Sequence, residues 1–256
     1  MNPGTATLPA PPDPPSRQRP FLLVNMAMTA DGKIATANRV VGTFGSRRDH
    51  AHLLALRATA DAILCGAGTV NLPGITLGPG GPRYRRLRHS RGLATEPLRI
   101  VVSGQARLRP DADLFLHPGS PIQVWVSANA PTRRVARLQA AGAEVLAFGG
   151  DDVDLAAALS WLARQHRVRR VVAEGGALLN DALFRAGLVD ELHLTLCPLV
   201  FGGRTAPTLA NGRGFPSLAD AARFHPPRVR RAGNELFLVF RAILARGPDC
   251  DKTQSD

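Results

Sequence analysis

Two segments of the sequence combine glycines with neighbouring polar groups in the manner of phosphate-binding turns. The stretches CGAGTV (65–70) and EGGALL (174–179) each end a short apolar run and begin a helix-like pattern. Glycine lets an anion approach the backbone there, and the helix start offers unpaired N–H groups and the positive end of its dipole. Thr69 adds a hydroxyl donor. Steric needs alone would also explain glycine in either turn, but the pair predicts a ligand with phosphates at separate points.

Glu174 opens the second turn, at the point where the apolar run stops. A carboxylate in this position either caps local N–H groups or accepts hydrogen bonds from the amide and amine edges of a bound heterocycle. Ligands of open α/β sheets bind beyond the carboxyl ends of the strands, which favours the second role. Neither glycine turn matches G-x-G-x-x-G and no Walker A motif occurs, so an ordinary Rossmann or P-loop site is not predicted.

A third segment, NMAMTADGK (25–33), brings polar groups to the exit of another apolar run. Its candidate site residues are Asn25, Thr29, Asp31 and Lys33. An ordinary Asp-Gly turn followed by a surface lysine has the same sequence. However, Lys33 and Lys252 are the only lysines of an arginine-rich chain. This favours a specific role for Lys33 over general surface charge.

The composition predicts a globular protein without a membrane segment or a metal centre. The chain has 256 residues, of which 45% are hydrophobic and 20% charged, and these are ordinary values. No apolar run approaches the roughly 20 residues of a membrane span. The three cysteines form no close-spaced pair, which indicates neither disulfides nor zinc. The N-terminal segment is Pro-rich and lacks the order of a signal peptide, so we expect a cytoplasmic location.

The formal net charge of +12 comes almost entirely from arginine. A positive field attracts nucleic acid, but also phosphorylated metabolites and cofactors, and an arginine-rich codon bias would give the same charge. The basic residues are spread along the chain, and no RRM, zinc-finger or helix-turn-helix signature accompanies them. The densest cluster, RYRRLRHSR (83–91), is predicted to be a basic loop. Nucleic acid is therefore not the expected partner.

Apolar runs and helix-like segments alternate along most of the chain. The predicted strands are FLLVNMA (21–27), DAILCG (61–66), LRIVVS (98–103), IQVWVS (122–127), AEVLAF (143–148), RRVVAEG (169–175) and VDELHLTLCPLVF (189–201). This alternation predicts a three-layer α/β fold with a mainly parallel sheet, and a hairpin turning at Gly233-Asn234 adds antiparallel strands at the C-terminal edge. Residues 71–97 are predicted to be a long loop. We expect one domain over 20–245, between a disordered leader (1–19) and a disordered tail (246–256).

Three blocks of the sequence resemble a known family in their order and spacing. VNMAMTADGKIA, LRATADAILCGAGTV and VVAEGGALLNDALFRAGLVDELHLTLCPLVFGG closely resemble the reductase domain of riboflavin biosynthesis. This dihydrofolate-reductase-like domain occurs at the C-terminus of bifunctional bacterial enzymes and as stand-alone archaeal and fungal reductases. The resemblance implies NADPH-dependent reduction of the ribosylamino side chain of a pyrimidine 5′-phosphate to ribitylamino. It also implies a homodimer.

The resemblance, together with the glycine turns, assigns roles to individual residues. The expected cofactor-binding residues are Thr43, Gly66, Gly68, Thr69, Gly175, Gly176, Ala177, Leu178, Leu179 and Asn180. The expected substrate-binding residues are Asn25, Thr29, Arg57 and Glu174. The catalytic candidates are Asp31, Lys33 and Glu174, with Asp31 expected to orient the substrate. For Arg57 the alternative is a solvent-exposed helix residue.

The chain departs from the family pattern after the first glycine turn. Gly78 stands where the family carries an arginine that helps to bind the substrate phosphate. Either Arg83, Arg85 or Arg86 replaces it, or the substrate lacks that phosphate. No H-x-E with P-C-x-x-C occurs, so the chain is not expected to deaminate. The residues at 25 and 29 are nearer to the archaeal and fungal versions, which reduce before deamination.

Two other functions remain open at this point. A pterin or folate reductase, or a reductase of another heterocycle, would keep the enzyme class and change the ligand, as the altered phosphate segment suggests. A basic nucleic-acid-binding α/β protein would be a different class. It would show strongly salt-dependent oligonucleotide binding and no NADPH oxidation.

Overall fold

The computed structural model describes residues 18–38, 44–117 and 119–243, which contain nine strands and seven helices. The strands are β1 (Phe21–Thr29), β2 (Ala62–Gly66), β3 (Leu98–Val102), β4 (Ile122–Val126), β5 (Ala143–Ala147), β6 (Arg170–Ala173), β7 (Glu191–Cys197), β8 (Arg228–Ala232) and β9 (Glu235–Arg241). The helices are α1 (Arg47–Arg57), α2 (Ala67–Val70), α3 (Pro82–His89), α4 (Asp113–Leu116), α5 (Thr132–Ala140), α6 (Leu155–His166) and α7 (Ala177–Arg185). Every strand predicted from the sequence is present.

The strands form one sheet in the order β5-β4-β3-β2-β6-β1-β7-β9-β8. The seven strands from β5 to β7 are parallel to their neighbours. Strand β9 runs antiparallel to both β7 and β8. The mainly parallel sheet with an antiparallel C-terminal edge is therefore confirmed. Because parallel strands share a direction, the carboxyl ends of β2, β6 and β1 lie side by side, and the three candidate segments follow these ends.

Helices pack on both faces of the sheet, as the alternation of side chains along the strands shows. Leu22 and Val24 of β1 pack with apolar residues of α6 and α7. Leu23, between them, points to the other face and packs with Leu56 of α1. Successive strand residues point to opposite faces, so the sheet is the middle layer of three.

Local sequence signals set the ends of several elements. The Ser46 hydroxyl caps α1 by accepting hydrogen bonds from the backbone N–H groups of Arg48 at 3.0 Å and Asp49 at 3.4 Å, and serine is a favoured residue at this position. The β8–β9 hairpin turns at Gly233, whose φ of +66° suits glycine.

The prediction of an irregular loop over residues 71–97 is wrong for its basic part, because residues 82–89 form α3. Pro82 occupies the first turn of this helix, where its missing N–H costs nothing. Arg88 is fully buried and donates to the carbonyl oxygens of Arg57 and Ala60 at 2.7 and 2.6 Å. The basic cluster is thus a helix anchored to the end of α1, and one of its arginines is a core residue.

Three predictions fall partly or wholly outside the described residues. The leader is described only from residue 18 and the tail not at all, so the domain bounds stay predictions. Thr43 also lies outside the described residues. Within the described ranges, no helix is both long and apolar enough to cross a membrane.

Candidate active site

The two glycine turns touch each other at the carboxyl edge of the sheet. The Gly66 N–H donates to the Gly175 carbonyl oxygen at 2.6 Å. A Cβ built on Gly66 would lie 3.3 Å from the Gly176 nitrogen, and one on Gly176 would lie 2.9 Å from Thr69 Oγ1. Side chains at these positions would crowd the junction. The sequence predicted two separate phosphate turns, and the structure joins them into one backbone-lined surface.

Two features require glycine at position 175. Its φ is +75°, and a Cβ would lie 2.8 Å from the sulfur of Met26 on the adjacent strand β1. A residue with a side chain would therefore be strained and would displace Met26. The Gly175–Gly176 peptide bond is cis. This backbone turns between the Glu174 carboxylate and the start of α7.

The glycine junction has the features that a nucleotide pyrophosphate needs. Gly66 and Gly176 are the N-cap residues of α2 and α7, and neither helix start is capped by a side chain. Their first N–H groups remain free for an anion. Space around Gly68 is open, with no heavy atom within 4 Å of a Cβ built there. The residues present therefore fit a nicotinamide dinucleotide held through backbone N–H groups.

Glu174 and Arg57 form a bidentate ion pair beside the junction. Arg57 Nε and Nη2 each donate to one Glu174 carboxylate oxygen at 2.6 Å, and the two side chains are only 12% and 10% exposed. Burial lowers the pKa of Arg57, but attraction to the Glu174 carboxylate outweighs it, so the net shift is upward. The alternative of a solvent-exposed Arg57 is wrong. Glu174 does not cap α7, because its carboxylate oxygens meet Arg57.

Asn25 lies next to this pair on the same face of the sheet. The register of β1 with β6 pairs Val24 with Ala173, so Asn25 and Glu174 are the next residues on adjacent strands. The Asn25 side chain is buried, and its Oδ1 has no hydrogen-bond partner among the residues that the structure describes. Buried polar atoms are nearly always paired. This unpaired acceptor beside a buried ion pair is available to a donor from a ligand.

Asp31 organises the loop after β1. Its carboxylate accepts from Thr29 Oγ1 at 2.5 Å and from the backbone N–H groups of Phe201 and Gly202 at 3.2 and 2.8 Å. The Thr29 hydrogen bond lowers the pKa of Asp31, and the backbone bonds act in the same direction. Asp31 is therefore ionised at neutral pH. This arrangement suits a residue that orients groups rather than one that supplies a proton.

Lys33 ties the same loop to the segment that follows β7. Its Nζ donates to the Ala206 carbonyl oxygen at 3.2 Å, and its backbone forms an isolated bridge with Thr208. Thr29 is fully buried, and its hydroxyl also accepts from the Lys33 N–H at 2.9 Å. The structure thus brings Thr29, Asp31 and Lys33 together at the end of β1. The Lys33 ammonium group is bonded to a backbone carbonyl oxygen and is not left without a protein partner.

Comparisons with known proteins show the family to which the chain belongs. The profile of the family described as RibD C-terminal domain matches residues 20–238. The chain belongs to this RibD C-terminal domain family. It is 36% identical over 225 residues to the 2,5-diamino-6-ribosylamino-4(3H)-pyrimidinone 5′-phosphate reductase of Methanothermobacter thermautotrophicus, covering 87% of this chain and 98% of the relative. The reductase of the same name from Archaeoglobus fulgidus is 36% identical over 197 residues, covering 77% and 89%.

Solved structures show the same fold at lower identity. RibD from Acinetobacter baumannii superposes with a TM-score of 0.71 at 22% identity, over 89% of this chain and 59% of that one. The Saccharomyces cerevisiae riboflavin biosynthesis reductase Rib7 gives a TM-score of 0.67 at 17% identity, over 90% and 92%. The expected family and the expected α/β fold are confirmed.

The residues predicted to bind the cofactor differ in their position and exposure. Gly66, Gly68, Thr69, Gly175 and Gly176 line the junction. Leu178 is 75% exposed, whereas Leu179 lies in the core. Asn180 is fully buried, and its Nδ2 donates to the Leu209 carbonyl oxygen at 2.8 Å. Asn180 therefore supports the loop over α7, and its assignment to the cofactor stays a prediction.

Arg57 also contacts the loop around Gly78, where the family carries the arginine that this chain lacks. Its Nη1 donates to the Gly78 carbonyl oxygen at 2.6 Å, so the loop before α3 is fixed to the ion pair. Of the three proposed replacements, Arg85 pairs with Glu96 at 2.8 Å. The Arg83 guanidinium lies 5.8 Å from the Tyr84 ring centre, and Arg86 is exposed. Arg83 and Arg86 therefore remain the arginines of α3 that are available to an external anion.

Sequence reasoning missed a buried polar cluster at the other end of α1. His52 Nε2 lies 3.3 Å from His193 Nδ1, and Glu235, only 2% exposed, accepts from the Ser46 N–H at 2.7 Å. His50, two positions before His52, is exposed, so the two imidazoles lie on different faces of α1. His193 lies in β7. The pairing of His52 with His193 had no signal in the sequence.

Cys65 and Cys197 lie in the interior of the protein, whereas Cys250 lies outside the described residues. Cys65 and Cys197 are buried and unpaired. Burial raises the pKa of each thiol to about 12. Within the described ranges, no group of three or more metal-binding side chains could hold a metal ion.

Proposed function

We propose that the protein is an NADPH-dependent reductase of riboflavin biosynthesis. It reduces the ribosylamino side chain of 2,5-diamino-6-ribosylamino-4(3H)-pyrimidinone 5′-phosphate to a ribitylamino group. The observation that carries the proposal is the contact of Gly66 with Gly175. This contact places both glycine turns, and the Glu174–Arg57 pair beside them, at one point of the sheet edge. The two archaeal relatives named above support the choice of substrate.

The backbone of the glycine junction holds the nucleotide. The free N–H groups at the starts of α2 and α7, together with the Thr69 hydroxyl, contact its pyrophosphate. When bound, NADPH supplies the hydride that this reduction requires. The protein contributes orientation and exclusion of water around the reacting groups.

The substrate side is formed by Glu174, Arg57 and Asn25. The 2,5-diamino-pyrimidinone offers N–H donors along its edge. The unpaired Asn25 Oδ1 is the acceptor that such an edge satisfies, and the Glu174 carboxylate keeps further lone pairs beside its two bonds to Arg57. Asp31 fixes the loops that border this region, and Lys33 holds the segment around Ala206. Thr29 forms hydrogen bonds with both Asp31 and Lys33.

The function is tested by measuring NADPH consumption with a panel of acceptors. The panel contains the 2,5-diamino-pyrimidinone 5′-phosphate, its deaminated counterpart, the dephosphorylated diamino compound and dihydropterins. We expect the phosphorylated diamino compound to be reduced fastest. Absence of NADPH consumption with both phosphorylated pyrimidines would contradict the proposal. The chain lacks a deaminase motif, so ammonia release is not expected with any of them.

Gly78 motivates a second candidate, a reductase of another heterocycle. In that case the dephosphorylated compound or a dihydropterin would be reduced faster than the phosphorylated pyrimidines. Oligonucleotide binding that weakens steeply with salt, without NADPH oxidation, would instead indicate a nucleic-acid-binding protein.

We also propose that the enzyme acts in the cytoplasm as a homodimer. The antiparallel β8–β9 edge leaves Val229 60% exposed, and an exposed edge strand can pair with a second copy. Sedimentation equilibrium at micromolar protein gives the assembly mass directly.

A further inference from the structure

A cavity of about 210 Å³ lies at the same edge of the sheet as the glycine junction. It is lined by Ala106, Arg107, Leu108, Pro110, Arg134 and Arg137. The first four residues follow β3, and the two others belong to α5, which follows β4. Because β3 and β4 are parallel neighbours, the cavity lies beyond their carboxyl ends.

The cavity is attached to the first glycine turn through Asn71. This residue directly follows α2, the one-turn helix that begins at Gly66. Its Nδ2 donates to the Arg107 carbonyl oxygen at 3.0 Å, and its Oδ1 accepts from the Arg109 N–H at 2.9 Å. The cavity therefore lies one short helix away from the glycine junction.

The walls of the cavity are connected to each other as well. Arg134 Nη1 donates to the Gln105 carbonyl oxygen at 3.2 Å, which joins α5 to the loop after β3. The Ser103 hydroxyl accepts from the Arg107 N–H at 2.8 Å. These bonds hold the two arginine-bearing segments at a fixed separation.

The charges around the cavity are unbalanced. Three arginines line it, and no acidic residue does. Arg107 and Arg137 form no side-chain hydrogen bond or ion pair with any residue that the structure describes. Like charges held together repel, and a phosphate dianion would relieve this repulsion while matching the planar fork of each guanidinium. Ala106, Leu108 and Pro110 add an apolar wall, which suits the sugar or base of a nucleotide.

The order of the strands places this cavity in line with the other parts of the site. Along the edge, the cavity lies at β4 and β3, the glycine turns at β2 and β6, and Glu174 and Asn25 at β6 and β1. A dinucleotide with its pyrophosphate at the glycine junction and its reactive ring toward Glu174 extends in the other direction toward β3. We propose that Arg107, Arg134 and Arg137 bind the 2′-phosphate of NADPH and thereby select it over NADH. This inference rests on the function proposed above.

The experiment measures binding without turnover, by calorimetry with adenosine 2′,5′-bisphosphate and with ADP. The test variant is Arg134→Ala/Arg137→Ala. The matched control is Arg133→Ala, which removes an exposed arginine of the same helix that does not line the cavity. We expect the double variant to bind the 2′,5′-bisphosphate roughly 10- to 100-fold more weakly, as for loss of one or two charge-assisted hydrogen bonds. ADP affinity and the control are expected to change little.

Steady-state kinetics with both coenzymes separates this inference from the proposed function. We expect the double variant to raise KM for NADPH and to leave KM for NADH unchanged. An unchanged preference for NADPH in an active double variant would overturn the cavity assignment and leave the reductase function standing. Selective loss of 2′,5′-bisphosphate binding in a protein that reduces no pyrimidine would support the cavity and refute the function.

Two further outcomes would also overturn the cavity assignment. Equal weakening of ADP and of the 2′,5′-bisphosphate would place the pyrophosphate or the adenine, and not the 2′-phosphate, at the arginines. Loss of salt-dependent oligonucleotide binding, with 2′,5′-bisphosphate binding intact, would assign the arginines to nucleic acid. Circular dichroism of the variants checks that each one is folded.

Discussion

Helix α1 covers two buried polar clusters that balance their charges in opposite ways. At its C-terminal end, the Glu174 carboxylate meets the Arg57 guanidinium in two hydrogen bonds of 2.6 Å. At its N-terminal end, Asp49 and Glu235 approach each other, and neither forms a salt bridge with a residue that the structure describes. Glu235 instead accepts from the N–H and hydroxyl of Ser46. In the first cluster the opposite charges form a pair, whereas Asp49 and Glu235 in the second have no such partner among the described residues.

The pKa values of the second cluster reflect burial without an ion-pair partner. Burial raises the pKa of Asp49, and the Glu235 carboxylate raises it further. Burial lowers the pKa of His52 to about 4, with His193 and Arg230 acting in the same direction. His52 is therefore neutral at physiological pH. The comparison indicates that the ion pair beside the glycine junction maintains charge where a polar ligand is proposed, whereas the other cluster is a structural network.

The largest expected effect comes from removing one partner of the ion pair. Arg57→Met leaves the Glu174 carboxylate buried and unpaired, so we expect a loss of about 3–5 kcal/mol in the free energy of unfolding. Turnover is expected to fall with it. Urea denaturation and NADPH-dependent kinetics measure the two effects, and Arg47→Met, an exposed position of the same helix, is the control.

The double variant Arg57→Met/Glu174→Gln tests the pairing itself. Removing both charges is expected to restore most of the stability, because no buried ion is left uncompensated. Activity is expected to stay low, since the proposed substrate contacts are gone. Equal stability of wild type and Arg57→Met would refute the idea that Arg57 compensates Glu174.

An intermediate effect is expected from acid titration of His52. The pKa of His52 falls from 6.5 to about 4 on folding, so the unfolded chain binds the additional proton between these values. Its contribution to stability is complete above pH 6.5 and is lost as the pH falls toward 4, by at most about 3 kcal/mol. His52→Gln is expected to flatten the dependence of unfolding free energy on pH in this window. His50→Gln, at an exposed neighbouring position, should leave the slope unchanged, and equal slopes in all three proteins would contradict the assignment.

The smallest effect is expected at Asp49. A raised pKa means that Asp49 binds its proton more tightly in the native state than in the unfolded chain. The stabilisation from the protonated group is therefore fully present below the ordinary value of 3.8, and it is lost as the pH rises through the native pKa. Because asparagine does not ionise, Asp49→Asn removes this pH-dependent loss of stability. We expect the variant to be more stable than wild type at neutral pH, and the advantage to vanish in acid. Lower stability of the variant at neutral pH would show that the carboxylate is compensated.

Much of the fold follows from local patterns in the sequence. The apolar runs predicted the parallel strands, and the hairpin at Gly233-Asn234 predicted β8 and β9. The glycines of 65–70 and 174–179 predicted the turns that meet at the sheet edge. Helix α3 was missed because prolines and glycines precede it and its own residues show little apolar periodicity. Pro82 at its first position was the signal that could have revealed it.

The sequence by itself determined the strands, the glycine turns and the family, because each depends on short-range preferences or on residues at fixed spacing. Only the tertiary structure decided that Glu174 pairs with Arg57, 117 positions away, that Arg88 is a core residue, and that three arginines from two separate segments surround one cavity. The physical reason is that the energy of a charge depends on what surrounds it in space. Those surroundings are assembled from strands whose order in the sheet differs from their order in the chain.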